Sequence, residues 1–144
     1  MKKMILAALL AAALPATVLA EEGMMEISDG YARSSNPKTG AIFMTVRNTG
    51  KQDCVLRDVK SDAARKAELH TNRENAEGMM EMIRIENGIT IPAGAEHVLA
   101  RGGDHVMLMG LKTALSDGDS VAVMLDFGDC GVVDASLPVD NARK

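Results

Sequence analysis

Aromatic residues are nearly missing from this chain: 144 residues include no tryptophan, one tyrosine (Tyr31) and two phenylalanines (Phe43 and Phe127). With few rings to stack on bases, and with acidic residues outnumbering basic ones 20 to 16, no nucleic-acid partner is expected. Beyond residue 20 no apolar run approaches the roughly 20 residues of a membrane-spanning helix, so no span is expected in the mature chain. There are only two cysteines, Cys54 and Cys130. They form no CxxC pair, which excludes dithiol exchange. Neither a GxSxG nucleophile motif nor a histidine/carboxylate trio at metal-ligand spacing is present, so hydrolytic chemistry is not expected and the chain is not read as an enzyme.

What the chain does have begins with MKKMILAALLAAALPATVLA. Two lysines precede an apolar run that ends in a small residue at Ala20, the pattern of a secretory signal peptide over residues 1–20. The remainder, residues 21–144, is the length of one domain and can bury a core without a structural metal. Without Lys2 and Lys3 it carries 14 basic and 20 acidic residues, a formal charge of −6. Export leads to an oxidising compartment, the periplasm, where Cys54 and Cys130 read as a disulfide, two unpaired thiols being the alternative.

Short apolar runs recur every eight to twelve positions: AIFMTVRN, CVLRDV, AELHT, MMEMIRI, HVLA, HVMLMG, VAVMLDF and VVDASLPV among them. Turn sequences such as SSNPKTG, NTGKQD, PAGA, RGGD and SDGD divide them. This is the signature of an all-β protein, and a Greek-key β-sandwich of seven to nine strands is expected. The one helix-like stretch is SDAARKAEL.

Alternation within GGDHVMLMG puts His105, Met107 and Met109 on one face of a strand and Val106 and Leu108 on the other. If the aliphatic pair faces the core, the His/Met side faces outward. In GMMEMIRI, Met80 and Met82 share a face with Arg84 and Glu86, which marks that face as solvated. His70, in ELHT, is expected to end the strand before the turn that leads to these methionines. His97 reads as structural or surface. Methionine is also a flexible core filler, and Met24, Met25, Met44 and Met124 read as packing. Two imidazoles and two thioethers, however, form a soft and uncharged donor set that suits Cu(I) and offers little to Zn(II), Ca(II) or Mg(II). A blue-copper centre needs a cysteine thiolate close to a histidine and methionine, and the segment after Cys130 contains neither.

The run from ELH through MEM to IPAG and GGDHVMLMGLK, with ARSSNPKTGAIFMTVRNTG upstream, resembles the periplasmic copper chaperones of the PCu(A)C type. The resemblance covers most of the mature chain and is strongest between His70 and Lys112. It implies a cupredoxin-like β-sandwich that binds Cu(I) through His70, Met82, His105 and Met107. It also implies delivery by ligand exchange to a copper-accepting protein, such as a cytochrome c oxidase subunit or a Sco-type assembly factor. Between Met82 and His105 there are 22 residues, one more than in the family pattern, which keeps Met80 open as the alternative ligand. Met109 is a further candidate, and an additional site for Cu(II) stays open. A monomer is expected. The same ligands would serve copper sequestration without a dedicated acceptor, and a metal-free interaction sandwich with a sticky methionine patch is the alternative from another class.

Overall fold

The computed structural model describes residues 24–144; the leader expected over residues 1–20 lies outside them. Eleven strands and one three-residue 3-10 turn, Gly128–Cys130, follow one another. The larger sheet runs β1 (Met25–Arg33), β2 (Thr39–Asn48), β9 (His105–Leu111), β5 (Ala64–Glu74) and β6 (Met80–Arg84). Strand β2 divides its second edge, pairing over Thr39–Ile42 with β9 and over Met44–Arg47 with β8 (Glu96–Leu99). A second sheet has the order β11 (Val132–Pro138), β10 (Ser120–Asp126), β4 (Asp58–Lys60), and β3 (Cys54–Leu56) pairs with β7 (Ile89–Ile91). All these pairings are antiparallel.

The core follows from two-residue alternation. Ile42, Met44 and Val46 of β2, Val106 and Leu108 of β9 and Leu69 of β5 form one inner face. Val121, Val123 and Leu125 of β10, with Val59 of β4, form the facing one. Leu56, Ile89, Ile91 and Phe127 join the same cluster.

Three local expectations are corrected. SDAARKAEL is not helical: a turn at residues 62–63 leads into β5 at Ala64. The strand has antiparallel partners on both edges, β9 and β6, and this tertiary pairing overrides the helix preference of its Ala, Lys and Glu residues. His70 does not end its strand, because β5 continues to Glu74, carried by its ladder with β6. The described residues form eleven strands rather than seven to nine, in part because CVLRDV breaks at Arg57 into β3 and β4, which pair with different partners, β7 and β10.

A β-bulge in β1 shapes the outer face of the larger sheet. Ser28 pairs with Thr45 and Tyr31 with Phe43, so Asp29 and Gly30 stand against Met44 alone. One extra residue reverses the side to which the following residues point. Ile27 therefore packs inward, whereas Tyr31 stands on the outer face beside Phe43. Asp29 adopts a left-handed φ of 52°, a conformation that aspartate tolerates better than most residues.

Candidate metal centre

Strand register assembles the candidate centre from β9, β5 and β6. His70 is the cross-strand partner of His105 on one side and of Arg84 on the other. Two residues along, Glu68 pairs with Met107 and Asn72 with Met82; beyond these, Lys66 pairs with Met109 and Glu74 with Met80. Because all these positions differ by even steps, they share the face opposite Val106, Leu108 and Leu69. The His70 and His105 ring centroids are 6.1 Å apart.

Hydrogen bonding determines which nitrogen of each imidazole carries the proton. Nδ1 of His105 lies 2.9 Å from the Gly103 carbonyl oxygen. A carbonyl only accepts, so Nδ1–H donates and Nε2 keeps its lone pair. Nε2 of His70 lies 2.9 Å from Glu68 Oε2. The Glu68 carboxyl is held down to about 2, against the burial that pushes it up, first by Lys66, then by His70 and the charge of Arg84. An ionised carboxylate also only accepts, so Nε2–H of His70 donates and Nδ1 is bare. That Nδ1 is buried and makes no hydrogen bond among the described residues, an arrangement that is costly unless something else takes the lone pair. Each imidazole is thus oriented through one nitrogen, the usual second-layer support of a ligating histidine.

A cavity of about 300 Å³ opens on this face, and Met82, His105 and Met107 all line it. His70 lies beside His105 rather than on the cavity wall. Met80 and Met109 share the face but are not part of the lining. The face is less open than the alternation alone suggests. His105 is only 3% exposed, because the turn at Arg101 and Gly102 and residues 33–35 and 39–41 wall the cavity around it. Met107 is half-buried, while Met82 is 48% exposed.

Tyr31, Phe43 and Arg143, which extend the histidine pair, and Glu68 escaped the sequence reading. Tyr31, Phe43, His105 and His70 form a ladder across β1, β2, β9 and β5, with successive ring centroids 5.3, 6.0 and 6.1 Å apart, and the Arg143 guanidinium lies 4.1 Å over Tyr31. Phe43 thereby packs beside the His105 ring. Glu68 stands two residues before His70 on the same strand face; that spacing in ELH was the available signal. His97 bonds Asp104 at 2.8 Å, tying β8 to the residue before His105. Cys54 and Cys130 are joined by a disulfide with Cα atoms 5.9 Å apart, and neither belongs to the cavity wall.

Chemically, the cavity wall and the adjoining His70 offer two imidazole nitrogens with free lone pairs and two thioether sulfurs, those of Met82 and Met107. No group of three or more His, Cys, Asp or Glu side chains that could hold a metal occurs among the described residues. Hard divalent ions need such charged, oxygen-rich sets; soft monovalent ions do not.

Residues 25–139 match the family described as "Putative lipoprotein LpqE-like". Over 117 residues the chain is 34% identical to the putative lipoprotein Lxx21020 of Leifsonia xyli subsp. xyli, covering 80% of this chain and 69% of that protein. Among solved structures, the copper-bound PCuAC domain from PmoF2 superposes with a TM-score of 0.67 at 24% identity, over 83% of this chain and 94% of that domain. Apo-DR1885 from Deinococcus radiodurans gives 0.62 at 28% identity, over 98% and 96% of the two chains. Its Cu(I) form gives 0.61 at 27% identity, over 88% and 86%. The fold shared with these structures is the cupredoxin-like Greek-key β-sandwich.

Proposed function

The chain belongs to the LpqE-like family, and from that footing we propose that it is an exported, periplasmic copper-binding chaperone whose His70, Met82, His105 and Met107 hold Cu(I) as cargo. The buried, unpaired Nδ1 of His70 opposite His105 is the observation that carries this reading. Metal–imidazole bonds of about 2.0 Å put the centroids of two rings on one tetrahedral ion roughly 5 Å apart; here they are 6.1 Å apart, so a side-chain shift of about 1 Å brings both rings onto one ion. Thioethers on the adjoining cavity wall supply the soft donors that favour Cu(I) over Zn(II). Similarity to a protein solved with Cu(I) points the same way.

Delivery is favoured over storage by the exposure of Met82. It sits on β6 at the edge of the sheet, where an acceptor can approach and exchange its own ligand for the thioether while the two histidines still hold the ion. The acceptor belongs to the assembly of copper centres, as in a cytochrome c oxidase subunit or a Sco-type factor. No helix among the described residues is long and apolar enough to cross a membrane.

The test is a Cu(I) titration against a competing chelator. One equivalent of Cu(I), or of its mimic Ag(I), should bind tightly and Zn(II) weakly. Comparable zinc affinity, or unchanged copper affinity in His70→Ala, would overturn the assignment. Delivery predicts that a deletion strain loses oxidase activity and regains it with added copper.

A further inference from the structure

The cavity that contains Met82, His105 and Met107 has an unusual charge balance for an acidic chain. Two arginines, Arg33 and Arg101, are among its lining residues, and no Asp or Glu is. Nearby carboxylates are engaged elsewhere: Glu68 by Lys66, His70 and Arg84, Asp104 by His97, and Asp29 by Arg143. Neither Arg33 nor Arg101 has an ion-pair partner among the described residues. Arg33 spends one N–H on the Arg143 carbonyl oxygen at 3.4 Å, which leaves the rest of its fork available. Its neighbour Ser34 is fixed by a bond from its backbone N–H to Asn141 Oδ1 at 2.9 Å. Two cations on the wall of one open cavity raise its potential, and an anion there lowers it.

We propose that this cavity binds a small carboxylate, held by Arg33 and Arg101 and placed beside Met82 and Met107. The planar fork of a guanidinium matches the two oxygens of a carboxylate and gives charge-assisted, bidentate bonds. The subsite stands on the cavity alone. Its link to copper rests on the function proposed above: a monovalent ion on four neutral donors adds one more positive charge to a space that already has two, and the carboxylate serves as its counter-ion.

The experiment needs no metal, so its failure and the failure of the copper reading are separate results. Apoprotein is titrated with sodium acetate, and with sodium chloride at matched ionic strength, while amide resonances are followed by NMR. Acetate should give saturable shifts at residues 33–35, 39–41 and 101–102, chloride should not, and acetate affinity should fall about tenfold or more in Arg33→Gln/Arg101→Gln. Arg101→Gln alone, at an exposed turn position, gives the same test at smaller amplitude if the double variant folds poorly. Shifts that do not saturate, that chloride reproduces, or that persist unchanged in the variants would overturn the subsite. Tighter binding of a short Asp-containing peptide than of acetate would overturn its assignment to a small free ligand.

Discussion

His70 and His105 face each other as direct register partners on β5 and β9, with ring centroids 6.1 Å apart, and each is anchored through one nitrogen. The anchors, Glu68 and the Gly103 carbonyl, can only accept, so the fold leaves two bare imidazole nitrogens on one face.

Met82 and Met80 separate by the same register. Met82 pairs with Asn72 and lines the cavity; Met80 pairs with Glu74, about 7 Å further along the strand, and does not. Both are exposed, so replacing either with leucine should cost less than about 1.5 kcal/mol of stability. Cu(I) affinity in a chelator competition should fall sharply for Met82→Leu and little for Met80→Leu. The opposite ranking would move the ligand to Met80.

Glu68 sets an acid limb on stability. Its folded pKa of about 2 lies below the ordinary 4.5, so its contribution is complete above about pH 4.5 and is lost as the pH falls toward 2. Between pH 5 and pH 2.5 the urea midpoint of the apoprotein should drop less in Glu68→Gln than in the native chain. Equal slopes would show that the Lys66, His70 and Arg84 contacts do not stabilise the carboxylate.

The disulfide closes a separation of 76 residues between Cys54 and Cys130. Replacing both cysteines with serine should lower stability by about 4 kcal/mol in the chain-entropy account. Copper affinity should be unaffected, since neither cysteine belongs to the cavity wall. A thiol count on the native, unreduced protein should find no free thiol; two would contradict the pairing.

The β1 bulge should tolerate little change. A Cβ at Gly30 would meet Leu137 Cδ2 at 2.5 Å, so Gly30→Ala should destabilise by about 1–3 kcal/mol through overpacking. Tyr31, the only tyrosine, reports on the site of strain through its fluorescence. Unchanged stability and emission would show that the bulge relaxes freely.

Alternation alone makes much of this legible in the sequence. In HVMLMG the inward Val106 and Leu108 and the opposite His105, Met107 and Met109 follow from period two alone. Alternation also placed Met80 and Met82 together with Arg84. It could not say how deeply His105 is covered, because much of the cover comes from residues 33–35 and 39–41, distant in the chain. Tyr31 was hidden for a different reason. Counting by twos from Ile27 sends it inward, and only the extra residue at Asp29–Gly30 turns it outward. SDAARKAEL reads as helical because its local preference is helical while the pairing that makes it a strand, with β9 above all, is remote in sequence.

X-ray absorption at the copper edge, on protein loaded with one equivalent of Cu(I), tests the proposed site most directly. The account predicts a first shell of two nitrogen and two sulfur scatterers, from His70, His105, Met82 and Met107, and a loss of sulfur in Met82→Leu/Met107→Leu. A shell of nitrogen and oxygen alone, or a sulfur signal unchanged in that double variant, would contradict it.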